Sequence, residues 1–409
     1  MTTTAQDKPP ILATRLRRFR VVVILGSLSA LAPLSIDAYL PGLPQVTRDL
    51  GTTTSAAQLS LTAFVVGLSF GQLVVGPASD ALGRRRPLVA GTAAFTLASL
   101  VCVFAPGIAT LDAVRVLEGF AGGAGVVVAR AVVRDLFAGP AAARFFASLM
   151  LVNGLAPVLA PVLGAQLLRV TSWRGVFVGL SAIGLALLLG VLLGLPETLP
   201  AERRGRGGLP TTLRTFWRLL HDRALVGYSL AAALAFAAMF AYISGSPFVL
   251  QDIYGLSPQA FSGVFAVNSV GIVICAQLGG RLAHRVGSGR LLAIGVGGSV
   301  TGGVVLLVSV LAGAGLPGVL PGLFLVASSV GTIFPNAMAL ALNQHAGDAG
   351  AASALMGVLQ FLIGGIAAPL VGVAGQDTAI PLGVVIATCS VLAVLSWLAL
   401  VRPGHSGPA

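Results

Sequence analysis

The sequence predicts an all-α polytopic membrane protein with 12 transmembrane helices, arranged as two six-helix bundles. The 409 residues are 56% hydrophobic and only 9% charged, with a mean hydropathy of +0.95, which no water-soluble domain matches. Apolar runs of roughly 20 residues, the length that spans a bilayer core, recur between short polar or Gly/Pro-marked breaks. Such long runs do not resemble the alternating strands of a barrel, so the spans are helices.

The apolar runs place the spans in order along the chain. They lie near residues 21–44, 56–79, 87–105, 107–133, 145–168, 174–195, 225–250, 259–282, 290–312, 316–342, 351–374 and 380–401. Prolines within them, such as Pro33, are tolerated because neighbouring helices satisfy the freed backbone groups.

The net charge of +12 follows the predicted topology. Arginines collect before the first span, after the second, fourth and eighth spans, and in the centre of the chain, whereas the opposite loops hold few. By the positive-inside rule both termini are cytoplasmic, and the basicity reflects insertion and contact with anionic headgroups. We therefore expect a multi-pass protein of the bacterial inner membrane, with the lipid bilayer and no nucleic acid as a partner.

A basic polar stretch divides the chain at its midpoint. The predicted organisation is a cytoplasmic tail (1–20), an N-terminal bundle (21–195), a basic cytoplasmic linker (196–223), a C-terminal bundle (224–402) and a cytoplasmic tail (403–409). Across the linker, GPASDALGRRR aligns with GRLAHRVGSGR, which pairs Gly76 with Gly280 and Gly83 with Gly287. Both stretches follow the second span of their half, so we interpret them as a duplication.

Several stretches of the sequence resemble signatures of a known protein family. GPASDALGRRRPLV resembles the loop 2–3 signature of the major facilitator superfamily (MFS), in which a glycine, an acidic residue, a second glycine and basic residues occur at this spacing. LSIDAYLPGLP, RVLEGFAGGAGVVVARAVVRDLF and LAPVLAPVLGAQLL are similar to the helix 1, 4 and 5 signatures of the bicyclomycin/chloramphenicol resistance (Bcr/CflA) drug exporters. The resemblance covers the whole chain and implies the MFS fold with proton-coupled drug efflux by alternating access.

The loop after the second span is a predicted cytoplasmic gate. Gly76 and Gly83 allow close helix approach and a tight turn, and Asp80 can cap a helix or pair with basic side chains. The resemblance implies that this motif holds the two halves together when the protein faces outward, with Arg84 and Arg85 as its basic members.

Two further residues bear on that gate. Asp135, at the end of the fourth span, is a plausible partner for Arg84, and Ala81 stands where the family usually has a basic residue. The alternative is that these charges only fix the topology.

The fourth span contains two charges, Arg115 and Glu118, three residues apart and therefore on one helix face. A charge in an apolar segment is expensive, so the two can pair with each other. The resemblance implies that Arg115 faces the central cavity, with Glu118 in place of the more usual amide. In the alternative, this helix starts later and both residues lie in the headgroup zone beside Asp112.

The fifth span carries Pro157 and Pro161 four residues apart, with Gly164 near the same side. This pattern predicts a kinked face of small residues. It resembles the antiporter signature of proton-coupled exporters, although alanines stand where that signature often has glycine.

Asp37 is a carboxylate inside the first apolar span. At membrane depth a charge costs about 2.5–3.5 kcal/mol on insertion scales, and binding a proton removes that charge. We therefore expect Asp37, with Arg115 and Glu118, to couple proton movement to substrate. The alternative is that Asp37 caps a loop near the outer surface, because Tyr39, Pro41 and Pro44 follow it.

The substrate cavity is expected to be largely apolar, near the first, second and seventh spans. Its candidate contacts are Tyr39, Phe64, Asn153, Phe236, Phe240 and Tyr242.

The function predicted from these features is a drug:H⁺ antiporter for small drug-like compounds, with chloramphenicol- or bicyclomycin-like substrates. The alternative is an MFS exporter or facilitator of an endogenous metabolite or nutrient. The sequence carries no Walker or H-E-x-x-H motif, and its three cysteines fall in predicted spans without paired spacing, so we expect no enzyme, cofactor or metal. The superfamily expectation is a monomer.

Overall fold

A computed structural model describes residues 15–137, 139–205, 209–343, 345, 348–375 and 377–401. The α-helices in these residues are α1 (Arg15–Asp37), α2 (Leu43–Asp49), α3 (Thr54–Leu82), α4 (Arg85–Val103), α5 (Ile108–Leu136), α6 (Gly139–Leu167), α7 (Trp173–Gly194), α8 (Leu209–Leu219), α9 (Arg223–Phe248), α10 (Pro258–Val286), α11 (Ser288–Leu311), α12 (Gly315–Asn343), α13 (Ala349–Leu370) and α14 (Ile380–Leu400).

Two bundles of six long helices account for the predicted spans. Helices α1 and α3 to α7 form the first bundle and α9 to α14 the second, while α2 and α8 are short additions. Eleven described stretches are long and apolar enough to cross a membrane, and the apolar part of α6, Gly154–Leu167, completes the set. The all-helical fold class predicted from composition is confirmed.

The first span is not the single helix predicted over residues 21–44. Helix α1 ends at Asp37, and the chain continues through a 3₁₀ turn at Leu40–Gly42 into α2. Pro41 and Pro44 cause the break because neither has an N–H to continue the hydrogen-bond ladder. Asp37 is therefore the last residue of α1, and the chain continues past it into the turn and α2.

Two of the helices run further than their apolar sequence suggested. Helices α3 and α10 continue through charged residues and stop at Gly83 and Gly287, whose φ angles are 91° and 84°. Left-handed backbone of this kind favours glycine and ends a helix. The two glycines that the repeat aligned thus share one conformation and one role.

Glycine also lets α3 and α5 approach closely. A Cβ at Gly119 would collide with the main-chain carbonyl of Phe64, and one at Gly67 with that of Val116. Small residues of this kind allow van der Waals packing between membrane helices, which lack a hydrophobic driving force. The contact fixes the face of α5 that carries Arg115 against α3.

The two bundles meet along α3 with α13 and along α6 with α10. At one end of this interface, here called the closed end, the halves are joined by side-chain hydrogen bonds. The opposite end, here called the linker end, holds the loop between α3 and α4 and the chain between the bundles.

Contacts at the closed end join the Leu40–Gly42 turn, α2, α3 and α6 of the first half with α9, the Val249–Ile253 segment after it, α10 and α13 of the second. They are Arg48–Asp252 (3.3 Å), Gln251 to the Pro41 carbonyl (3.3 Å), Gln58 to the Ser244 carbonyl (3.2 Å), Ser55 to the Pro369 carbonyl (2.9 Å) and Gln259 to the Ala165 carbonyl (2.8 Å).

The predicted proline pair of α6 contributes to this seal. Proline at 161 has no N–H, so the carbonyl of Pro157, four residues earlier, loses its helical partner. That carbonyl accepts a hydrogen bond from the Ser269 hydroxyl of α10 at 3.3 Å. Gly164, on the same helix, lies against the Ala38 carbonyl, so the α6 signature is next to Asp37.

The same relation occurs in α13. Pro369 frees the carbonyl of Gly365, which accepts a hydrogen bond from the Thr62 hydroxyl of α3 at 2.8 Å. Two prolines in different halves therefore each create an acceptor that the other half uses.

Removing these two hydroxyls is expected to open the closed end. Thr62→Val and Ser269→Ala each delete one hydrogen bond worth about 1 kcal/mol, so each should raise the population with separated halves about fivefold. The measurement is the distance distribution between spin labels at Val170→Cys and Ala312→Cys, two exposed positions in different halves. Thr301→Val is the control, because its hydroxyl bonds within α11; an equal shift in the control would contradict the prediction.

Candidate functional site

A central cavity of about 1070 Å³ lies between the two halves. Helices α1, α3 and α5 form one wall, and α9, α12 and α13 form the other. Asp37 lies at its deep end, and Asp80, Arg134 and Asp348 line it at the linker end. The cavity therefore opens towards the linker end while the closed end is sealed.

The depth of the cavity follows from the register of α1 and α5. Ser35 bonds Glu118, and the Leu28 carbonyl lies beside Gly125, so the two helices run antiparallel. On this register Asp37 lies level with the stretch of α5 that precedes Glu118, and Arg130 lies about 20 Å closer to the linker end. The cavity thus extends about 20 Å along α5, which is more than half of the roughly 30 Å thickness of a bilayer hydrocarbon core.

Asp37 is the predicted coupling residue that reaches the cavity. Its residue surface is 5% exposed, and its carboxylate lies in the cavity wall. Within the described part of the chain it makes no ion pair or hydrogen bond. The alternative that Asp37 caps a loop at the outer surface is wrong, because the residue is buried in the cavity wall and makes no capping hydrogen bond in the described chain. A carboxylate without a partner, in a cavity that opens at the linker end, can take up and release a proton without breaking a structural contact.

Arg115 and Glu118 form a buried ion pair at 2.7 Å, with both side chains fully buried. Arg115 also donates to the hydroxyl and the carbonyl of Ser35, at 2.6 and 3.2 Å. Glu118 accepts from the hydroxyls of Ser35 (3.1 Å) and Ser99 (2.8 Å). Since α5 begins at Ile108, the alternative of a later helix start is wrong.

The position of Arg115 corrects the expectation that it faces the cavity. Its guanidinium lies 4.3 Å from the ring centroid of Phe64, 5.5 Å from that of Tyr39 and 5.6 Å from that of Phe177. Among the described residues, Arg115 and Glu118 are absent from the cavity wall. Their mutual pairing and the cation–π contacts hold them inside the first bundle.

Of the predicted aromatic contacts, Phe236 and Phe240 line the cavity, stacked at 5.6 Å. In the described wall, Tyr39, Phe64 and Tyr242 are missing. Tyr39 and Phe64 pack on the Arg115 guanidinium as described above. The Tyr242 hydroxyl instead accepts a 2.9 Å hydrogen bond from Asn268.

Two further residues, Asn153 and Phe361, bear on the composition of the cavity wall. The Asn153 side chain, a further predicted contact, lies outside the described residues. Phe361 of α13 was not predicted, and its ring lies edge-on to Phe236 at 5.4 Å. The aromatic wall therefore belongs to the second half, opposite Asp37.

The predicted gate motif forms a cluster around Arg84 at the linker end. Arg84 donates to Asp135 (2.8 Å), the partner expected from the sequence, and also to Asp80 and to the Ser79 hydroxyl. The Arg85 guanidinium donates to the Leu192 carbonyl at 2.8 Å. These contacts all lie within the first half, joining α3, α4, α5 and α7, and Gly76 and Asp80 line the cavity beside them.

Glu197, directly after α7, organises the same cluster. Its carboxylate accepts from the main-chain amides of Arg84 and Arg85, where α4 begins, and from those of Thr198 and Leu199. A carboxylate at a helix N-terminus satisfies free N–H groups. Partial burial opposes the shift, but these amide donors lower the pKa of Glu197 below its ordinary value.

The lowered pKa of Glu197 predicts a pH-dependent stability. The stabilisation is complete above the ordinary pKa of the unfolded chain and is lost as pH falls through the lower folded-state value. Between about pH 6 and about pH 3, wild type should therefore lose its advantage over Glu197→Gln, which at neutral pH should melt about 2 °C lower. The measurement is the thermal unfolding of both proteins in detergent. A constant difference between them over this range would contradict the assignment.

Besides Phe361, sequence reasoning missed two kinds of site residue, the serines around Glu118 and the carboxylate of Glu197. Ser35 and Ser99 hold Glu118, but an isolated serine in an apolar helix carries no signal of its own. Glu197 could have been found, because it is an acidic residue that directly follows the sixth span in an arginine-rich stretch.

The fold and the cavity define a class, the polytopic α-helical membrane transporters. Residues 25–369 match the sequence profile of the Major Facilitator Superfamily. The chain belongs to this superfamily and, within it, to the Bcr/CflA drug-efflux subfamily.

Named relatives cover nearly the whole chain. It is 40% identical to the uncharacterized MFS-type transporter YdgK of Bacillus subtilis, over 94% of this chain and 96% of that protein. It is 31% identical to the bicyclomycin resistance protein homolog of Haemophilus influenzae, over 93% and 95% of the two chains. It is 29% identical to a chloramphenicol resistance protein of Pseudomonas aeruginosa, over 91% and 88%.

A solved structure with the same fold is the E. coli xylose transporter XylE in a partially occluded inward-open conformation. The TM-score is 0.73, covering 96% of this chain and 99% of that one at 13% identity. At this identity the similarity concerns the fold alone.

Proposed function

We propose that this protein is a proton-coupled exporter of small drug-like compounds in a bacterial inner membrane, with the linker end in the cytoplasm. The observation that carries the proposal is Asp37, a carboxylate without a partner in the described chain, at the deep end of a cavity that is open at one end. The arginine-rich loops at the linker end support the cytoplasmic orientation.

The geometry supports Asp37 over Glu118 as the proton carrier. Protonating Glu118 would leave Arg115 as a buried charge without its counter-ion, which is costly. Protonating Asp37 breaks no described contact and removes a buried charge that no described residue neutralises. One proton moving inward per cycle supplies about 2.3 kcal/mol per 100 mV of membrane potential, in addition to the pH gradient.

The substrate side of the proposal rests on the cavity wall and on the relatives. Phe236, Phe240 and Phe361 offer aromatic surface, while Gln72 and Gln360 offer a few polar groups in the same cavity. Such a mostly apolar pocket with sparse polar groups suits drug-sized compounds. Because two relatives are named for bicyclomycin and chloramphenicol resistance, these two antibiotics are the first candidates.

The Arg84 cluster is the proposed cytoplasmic gate. In the present conformation its contacts stay within the first half, which leaves the linker end of the cavity open. In the outward-facing state we expect the loop between α3 and α4 to meet the second half there. The closed-end hydrogen bonds would then be broken, so the two ends open alternately.

The test is proton release from everted vesicles that contain the protein, after addition of chloramphenicol, bicyclomycin or a lipophilic cation. Drug-dependent acid release that is absent from vesicles without the protein is the expected result. If no compound moves protons while the purified protein is folded, the drug-antiporter proposal fails. An exporter of an endogenous metabolite would then be the better hypothesis.

A further inference from the structure

A stripe of α5 with two arginines lines the cavity near the linker end. Val126, Arg130 and Arg134 follow one another at intervals of four residues, and all three lie in the cavity wall. Side chains four residues apart on a helix are neighbours, with Cβ atoms about 6 Å apart. The two guanidinium groups therefore face the same part of the cavity, rather than reaching past lipid to the headgroups.

The acidic residues in this part of the wall are already neutralised. Asp80 is paired with Arg84, and Asp348 is paired with Arg218 of α8. Arg130 and Arg134, by contrast, have neither an ion pair nor a hydrogen bond in the described part of the chain. The remaining carboxylate of the wall, Asp37, is about 20 Å deeper on the helix register.

Two adjacent, unpaired guanidinium groups suit one class of ligand group. Planar N–H forks bind carboxylate and phosphate oxygens in a bidentate manner, and a positive cavity mouth repels cations and concentrates anions. The aromatic wall of Phe236 and Phe361 lies deeper, near the middle of α9 and α13. A ligand that enters from the linker end with an aromatic body first would leave an acidic tail beside the arginines.

We propose that Arg130 and Arg134 form an oxyanion-binding site in the transport cavity, so that the substrates include aromatic compounds with a carboxylate or phosphate group. This inference rests on the proposed export function and gives it a substrate class. The site selects against permanent cations of the same shape. The same chemistry could be supplied by an anionic lipid headgroup at the cavity mouth, and the experiment separates the two sources.

The experiment measures binding, so it does not depend on transport. Ala354, an exposed cavity residue of α13, is replaced by cysteine in a protein whose Cys102, Cys275 and Cys389 are alanine. Labelling by a neutral maleimide is followed in nanodiscs of phosphatidylcholine. Three competitors with one body are compared: naphthalene-2-carboxylate, its carboxamide, and naphthylmethyl-trimethylammonium.

The expected result is that the carboxylate protects the cysteine at a concentration about tenfold lower than either analogue. Arg130→Gln with Arg134→Gln should abolish this preference, whereas Arg130→Lys with Arg134→Lys should retain part of it. Equal protection by the three compounds, or an unchanged preference in the glutamine variant, would overturn the proposal. So would loss of the preference when phosphatidylglycerol is added to the nanodiscs, which would assign the site to lipid. Failure of vesicle proton release with intact protection would refute only the export function.

Discussion

Asp37→Asn is expected to abolish drug-dependent proton release while leaving the protein folded. Asparagine has nearly the same shape but cannot carry a proton, and the described structure gives Asp37 no ion pair to lose. The variant should therefore bind drug and still fail to exchange it for protons. The measurement is acid release from everted vesicles, with drug binding to the purified variant measured in parallel.

Asp37→Glu is the matched control, because it keeps the carboxylate and changes only its reach. It should retain part of the proton release. Wild-type coupling in Asp37→Asn would show that the proton travels through another group, and loss of drug binding in that variant would show that Asp37 contacts substrate instead.

Breaking the Arg115–Glu118 pair is expected to have the largest effect on stability. Arg115→Ala or Glu118→Gln leaves one fully buried charge without its partner, which typically costs about 3–5 kcal/mol. Each single variant should melt about 10 °C below wild type in detergent, with a lower yield of monodisperse protein. The measurement is thermal unfolding of the purified variants beside wild type.

The double variant Arg115→Leu with Glu118→Leu separates structure from coupling. Replacing both partners removes the unpaired charge, so stability should return most of the way. If this variant is stable and still couples drug to protons, the pair is structural. A stable double variant without coupling would give Arg115 or Glu118 a direct role in transport.

The main features of the fold were predictable because membrane insertion leaves a strong signal in the sequence. Long apolar runs identified the spans. Within the fourth span, the three-residue separation of Arg115 and Glu118 placed both side chains on one helix face. The Arg84–Asp135 contact was also predictable, since both residues lie where loops at one membrane face must meet.

Other features depend on contacts between helices that are far apart in the sequence. Which face of α5 points into the cavity depends on its packing against α3 at Gly119. The sequence therefore could not predict whether a charged side chain of this span faces the cavity. The break after Asp37 was visible in Pro41 and Pro44, but the apolar run that leads into them favoured a single helix over residues 21–44.

The hydrogen bonds at the closed end also determine which substitutions would weaken the contact between the two halves. Apart from Arg48–Asp252, every described hydrogen bond there is accepted by a main-chain carbonyl. A main-chain carbonyl is present whatever side chain its residue carries, so most acceptor positions can be substituted without weakening the seal. Selection can act on the hydroxyl and amide donors, and on the two prolines that release carbonyls from their helices. Related transporters should therefore vary in pairs at Arg48 and Asp252 and on one side only at the other contacts.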